Sequence, residues 1–178
     1  MDSIDREILA RLQRDASVPV AEIAKQVGLS PTPCWRRIQK LEAAGVIRAR
    51  VALLDPDKVR AGVTVFVAVR TSQHTQDWLE HFAAVVAAFP EVVEFYRMSG
   101  EVDYLLRVVV PDIRAYDGFY KKLIERVALS DVSSSFAMEE IKYTTALPLH
   151  FAPVRGAPAP LEAASATAQP ASATRTEG

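Results

Sequence analysis

The chain has 178 residues, enough for one sizeable domain or two small ones, and its hydrophobic fraction of 49% can supply real cores. A single cysteine, Cys34, excludes an intrachain disulfide framework, and three histidines, His74, His81 and His150, offer neither a cysteine cluster nor chelating spacing, so no metal is expected. The net charge of −1 would argue against nucleic acid, but it hides an asymmetry: residues 1–60 carry a net +3 and residues 61–178 a net −4.

No apolar run approaches the roughly 20 residues of a membrane span, and MDSIDREILARL opens directly with an amphipathic helix, so no membrane partner and a cytoplasmic location are expected. Residues 3–15 carry Ile4, Ile8, Leu9 and Leu12 on one stripe, with Asp2 or Ser3 as cap. Residues 20–28, VAEIAKQVG, form a short second helix with Ile23, Ala24 and Val27 inward; small Ala24 permits close helix approach, and Gly28 suits a tight turn. Residues 29–47, LSPTPCWRRIQKLEAAGVI, give a third helix with Ser30 as N-cap, Pro31 at the first position and Gly45 as its stop. At about 100° per residue, Cys34, Ile38 and Leu41 share one face, and Thr32, Arg36, Gln39, Lys40 and Ala43 the other.

That outer face suits the solvated side of any amphipathic helix, but the short helix and glycine turn before it make a helix-turn-helix. Within residues 26–50, Arg36, Arg37, Lys40, Arg48 and Arg50 face a single acid, Glu42, which puts positive charge where phosphates would lie. Cys34, on the packing side, reads as a small buried hydrophobe rather than a reactive thiol. Residues 46–54, VIRARVALL, suit a wing strand, and DPDKVRAG at 55–62 is a linker.

From Val63 the period changes. VTVFVAVRT is a strand, nearly continuous in apolar character, as expected if both faces are covered. A helix over 75–89 carries Trp78, Phe82, Val85, Val86 and Phe89, and Pro90 closes it; VVEFYRMS and DYLLRVVV are strands joined at Gly100-Glu101-Val102. Asp112 caps a helix over 113–127, and residues 131–143 form the last strand. The order βαββαβ predicts a ferredoxin-like α+β domain with both helices on one face of the sheet. Nothing else in the chain offers to cover the other face, so self-association through it is expected, and a two-fold dimer would suit paired DNA half-sites. Residues 152–178 hold nine alanines, four prolines and no aromatic residue, which predicts a disordered Ala/Pro-rich tail. The expected domains are therefore 1–54, a linker at 55–62, 63–151, and a tail from 152.

A three-helix head containing LSPTPCWRRIQKLEAAGVI, followed by a βαββαβ body containing SGEVDYLLRVVVPD, resembles the Lrp/AsnC (feast/famine) family of transcription regulators over about residues 2–150. The resemblance implies a winged helix-turn-helix reading double-stranded DNA, an ACT-like RAM domain that binds an amino-acid effector, and assembly into dimers and often octamers. It places candidate DNA contacts at Ser30, Thr32, Arg36, Arg37, Gln39 and Lys40; Trp35 departs from the charged or aliphatic residue of many members. The stretches RVALLDPDKV, FYRMSGEVDYLLRV, YDGFYKKL and LSDVSSSFAMEEIKYTTALPL look most like a cysteine-responsive branch, with leucine- or proline-responsive branches as alternatives.

The loop at 99–103 also has a direct chemical reading. A zwitterion needs donors for its carboxylate, which backbone N–H groups around Ser99 and Gly100 can supply, and an acceptor for its ammonium, which Glu101 or Asp103 can supply. Read without the family, the same residues close a hairpin with Asp103 as its cap; the family favours the ligand site and adds Ser135 and Phe136 as possible lining. No cofactor beyond an amino acid is expected. No nucleophile-histidine pairing or Gly-rich phosphate loop supports an enzyme, and a DNA-coating protein indifferent to amino acids is the nearer rival.

Overall fold

A computed structural model describes residues 1–153 and divides the chain into two compact units. Residues 1–50 and the described residues from Thr144 onward make the first, and Val51–Tyr143 the second. The expected tail falls largely outside the described residues. The first unit differs from the expected boundaries at its C-terminal part for a local reason: the Gln13 side-chain amide accepts from the Leu147 N–H at 3.0 Å and donates to the Leu147 carbonyl at 3.1 Å.

The head contains α1 (Ser3–Leu12), α2 (Val20–Gln26) and α3 (Pro31–Ala43). A reciprocal capping box starts α1: Asp2 accepts from the Asp5 N–H at 2.8 Å, and Asp5 accepts from the Asp2 N–H at 2.9 Å. It stops at Leu12, earlier than the expected residue 15. Both other helices end in the same device. Gly28 and Gly45 each take φ +70, the N–H of Leu29 reaches the Ala24 carbonyl and that of Val46 the Leu41 carbonyl, both at 2.9 Å. Ile8, Leu12, Ile23, Ala24, Cys34 and Ile38 fill the core, with Ala24 and Cys34 fully buried at the closest helix approach.

The expected wing strand over 46–54 does not form. Only Ile47 packs on the head core, while Val51, Leu53 and Leu54 stay exposed. The composition suits a strand, but no strand among the described residues pairs with it, and an unpaired ladder has no hydrogen bonds to hold it.

The body follows the order β1 (Val63–Arg70), α4 (Gln76–Ala87), β2 (Val92–Arg97), β3 (Tyr104–Val110), α5 (Ile113–Arg126) and β4 (Asp131–Phe136). Its sheet has the antiparallel order β2-β3-β1-β4, the ferredoxin-like arrangement. Thr75 and Asp112 cap α4 and α5 through their side chains. Val65, Val67 and Val69 of β1 and Leu106 and Val108 of β3 are fully buried against Trp78, Phe82, Phe119 and Leu123. The other face, with Phe66, Tyr96, Leu105, Arg107 and Val109, is covered by no other described element, so among the described residues β1 is not enclosed on both sides as its apolar run suggested. The last strand stops at Phe136 rather than 143. Its partner β1 begins at Val63, and after the Ala137 N–H reaches the Thr64 carbonyl no further rung remains.

Nothing lies within 4 Å of a Cβ built on Gly28, so its requirement is purely conformational. Gly28→Ala should lower head stability by about 1 kcal/mol through the left-handed backbone alone, read as a drop in the urea midpoint at unchanged slope. An unchanged midpoint would show that the turn relaxes to negative φ.

Candidate nucleic-acid interface and ligand loop

The third helix presents its two sides as the periodicity requires. Cys34, Ile38 and Leu41 are buried, and burial pushes the Cys34 thiol above its usual range despite the opposing charge of Arg37, so it is held as an unreactive hydrophobe. Thr32, Arg36, Gln39 and Lys40 are exposed, and Arg36 and Lys40 make no ion pair among the described residues. Ser30 has the extended backbone of an N-cap, but its side chain makes no capping bond, contrary to the expected role. Pro31 and Pro33 lack N–H groups, so the first turn exposes few orphan donors, and the hydroxyls of Ser30 and Thr32 and the Thr32 backbone N–H are the polar groups that remain there.

Arg37 is placed differently from its neighbours. One guanidinium nitrogen lies 2.6 Å from Asp2 Oδ2 and 2.7 Å from Asp5 Oδ1, joining the start of α1 to the middle of α3. The Asp5 backbone N–H first, and Arg37 second, hold the Asp2 carboxyl below the usual carboxylate range; Asp2 and then Asp5 raise Arg37. The family resemblance lists Arg37 among the DNA contacts, but helical periodicity leaves it off the outer face, and one step of about 100° from Arg36 turns it toward the acids of α1. Gln39 is also ordered: its Nε2 donates to Glu42 Oε2 at 2.8 Å, while Glu42 Oε1 accepts from Arg50 at 2.7 Å. Arg48 remains exposed without such a partner among the described residues.

In the body, Ser99, Gly100, Glu101 and Asp103 come together at one end of the sheet. Gly100 takes φ +110, and the Met98 N–H closes the loop on the Asp103 carbonyl at 2.8 Å. Asp103 is also a structural tie: its N–H reaches the Val69 carbonyl at 3.0 Å, and its Oδ2 accepts from the Thr71 N–H at 2.8 Å. Glu101 is exposed, with one oxygen 3.5 Å from the Arg70 guanidinium, which stands 3.9 Å from Asp131 on its other side.

Ser135 and Phe136 do not join this loop within one chain. They are the last residues of β4, whereas Asp131, beside the loop end, is the first; four residues of strand separate them by roughly 13 Å. They also point to opposite faces, Ser135 opposite Phe66 on the open side and Phe136 edge-on to Tyr116 at 5.2 Å on the helix side. The register instead brings Arg70, Thr71 and Ser130 to the loop end: the Ser72 N–H reaches Ser130 Oγ at 3.0 Å, and the Ser130 N–H reaches the Arg70 carbonyl at 3.2 Å. These partners carry no signal in the sequence, since no spacing encodes register between β1 and β4. A groove of about 440 Å³ lies nearby, lined by Tyr120, Ile124, Leu129, Ser130, Asp131 and Val132.

Residues 1–42 match the AsnC-type helix-turn-helix domain and residues 64–147 the Lrp/AsnC ligand binding domain. The chain is 53% identical over 149 residues to the glutamate uptake regulatory protein of Zymomonas mobilis, covering 84% of this chain and 91% of that one. It is 51% identical over 150 residues to the DNA-binding transcriptional activator DecR of Escherichia coli, covering 84% and 99%. Among solved structures, an AsnC family transcriptional regulator from Agrobacterium tumefaciens is 66% identical, with TM-score 0.83 and coverage of 85% and 99%. A transcriptional regulator from Neisseria meningitidis, solved as a complex with L-Met, is 39% identical with TM-score 0.80 and coverage of 84% and 97%.

The ion cluster gives a pH-dependent stability whose sign is set by Asp2. A carboxyl with a depressed folded pKa contributes fully above its unfolded value of 3.8 and loses that contribution as the pH falls through the folded one. Arg37→Met should destabilise the head by about 1 kcal/mol at neutral pH, a figure already reduced for the partial exposure of the three side chains. The gap from wild type should shrink below pH 3.8 in urea titrations; a gap constant with pH would remove the ion pairs as its cause.

Proposed function

This chain belongs to the Lrp/AsnC family of transcriptional regulators, and from that premise we propose that it binds specific double-stranded DNA through α3 and changes that binding in response to a free amino acid. The observation that carries the DNA half is the exposed basic side of α3, where Arg36 and Lys40, unpaired among the described residues, stand beside Thr32 and Gln39 on the helix that follows the Gly28 turn. Lysine and arginine supply the phosphate attraction, and Arg36 and Gln39 have the paired donor or donor–acceptor groups that suit guanine and adenine edges. Ser30 and Thr32 fit backbone contacts, while Arg37 acts chiefly by fixing α3 against α1.

The ligand half is supported by the match to the ligand binding domain and by the relative solved with L-Met. Arg70 and the backbone N–H groups at Ser99 and Gly100 are donors for a carboxylate, and Glu101 and Asp103 are acceptors for an ammonium. Small amino acids, L-cysteine among them, are the effector class. Ser135 and Phe136 contribute through a second copy of the chain, since one protomer keeps them away from the loop. The uncovered sheet face carrying Phe66, Tyr96 and Leu105 supports a dimer, with an octamer as the larger assembly. A cytoplasmic location fits action on DNA, and no described helix is long and apolar enough to cross a membrane.

A mobility-shift titration on the DNA upstream of its own gene, repeated with each of the twenty amino acids at millimolar concentration, tests both halves. Arg36→Ala should cost roughly 1–3 kcal/mol of specific affinity, and an unchanged ratio of specific to random-DNA binding would refute base reading. For the loop, Asp103→Asn is preferable to Asp103→Ala because it keeps an oxygen for the Thr71 N–H while removing the charge. It should abolish the effector response and leave DNA binding intact; a wild-type response would exclude Asp103 from the ligand. Binding indifferent to all twenty would favour the DNA-coating alternative.

A further inference from the structure

We propose that Trp35 is a specificity-determining contact of α3, its indole face covering thymine methyl groups in the major groove of the bound duplex. The inference rests on the DNA-binding role of α3 and adds the apolar part of its recognition. Trp35 is 52% exposed, among the large hydrophobic side chains that the head leaves in solvent. Among the described residues its ring stacks on no other ring and its indole N–H has no hydrogen-bond acceptor, and it is outside the head core. A tryptophan normally buries 150–250 Å² and finds a partner for its N–H, so half-exposure of this one leaves a surface ready for a partner.

Its position says which partner. Trp35 is the fifth residue of α3, in the N-terminal half that a recognition helix turns toward base edges. It neighbours Arg36 in sequence and Gln39 one turn on, and the Gln39–Glu42–Arg50 chain of hydrogen bonds keeps this flank polar apart from the indole itself. The thymine methyl is the apolar group that base edges display in the major groove, and it is met by flat apolar side chains standing beside hydrogen-bonding ones. A second copy of this chain is a poor occupant, because a symmetric contact here would bring the Arg36, Lys40 and Arg48 charges of both copies together. Duplex DNA supplies both the methyl groups and the phosphates that those charges require.

The test uses the full-length protein and the tightest duplex it selects from a random-sequence pool, in thymine form and with uracil replacing thymine, which removes only the methyl. Wild-type protein should bind the uracil duplex weaker by roughly four-fold for each methyl contacted. Trp35→Ala should bind both forms equally, Trp35→Phe should keep the preference, and Arg36→Ala should lose affinity on both forms while still preferring thymine. Equal wild-type affinity for both forms, or a thymine preference surviving in Trp35→Ala, overturns the contact. If Arg36→Ala weakens binding while uracil has no effect, the role of α3 stands and that of Trp35 falls. Failure to select any duplex overturns both.

Discussion

The close approach of three short helices around Ala24 and Cys34 is the constraint on which the head depends. None of them, at 10, 7 and 13 residues, is long enough to be stable alone in water, so each exists because its apolar stripe is shared with the others. Ala24 and Cys34 are fully buried beside Ile8, Ile23 and Ile38; a larger side chain at either position would force the helices apart. The termini are secured by local devices, a capping box before α1 and left-handed glycines after α2 and α3, which satisfy backbone groups that packing cannot reach. Arg37 adds a charge-assisted tie between α1 and α3. The outer side of α3 is thereby held in place while Arg36 and Lys40 stay outside every ion pair among the described residues, which is what a reading surface requires.

The body solves a different problem with the same economy of contacts. Alternation along β1 and β3 gives one face wholly to α4 and α5, and the aromatic cluster of Trp78, Phe82, Phe95 and Tyr104 fills the space beneath them in tilted and edge-on pairs. The opposite face combines half-exposed apolar residues with the Glu94–Arg107 pair, whose nitrogen–oxygen distance is 2.7 Å. Such a face is too apolar to be comfortable in water and too polar in its centre to be an ordinary core, the mixture expected of a surface that meets a copy of itself. At one end of the sheet, Asp103 ties the end of β1 to the β2–β3 hairpin, so a ligand that engages its charge acts on both together.

Charge in the head is sorted by whether it has work inside the fold. Arg37 and Arg50 are paired with acids of α1 and α3, whereas Arg36, Lys40 and Arg48 have no such partner among the described residues. The sequence-level excess of positive charge is therefore larger than what the surface offers to phosphates, and the unpaired residues are the ones on or beside the exposed side of α3. This distinction separates residues that position the helix from residues that meet DNA, although all five are basic and lie within fifteen positions of one another.

By itself the sequence determined the periodic features: three amphipathic helices, the glycine stops, the βαββαβ order and the placement of Cys34 inside. These follow from local chemistry, since a residue's spacing and backbone preferences are carried by its immediate neighbours. Family likeness was legible for the same reason, because its motifs are continuous stretches. Tertiary structure alone decided what depends on pairing between distant segments. Whether VIRARVALL becomes a strand depends on a partner, which the described residues do not provide; where β4 stops depends on where β1 starts. Arg37 looked like its neighbours until the N-terminus of α1 was placed beside it, and Ser135 and Phe136 looked like lining for the loop until the register put them at the far end of β4. In each case the residue type suits the expected role, and a contact of long sequence separation, which no local pattern encodes, decides where in the fold the residue stands.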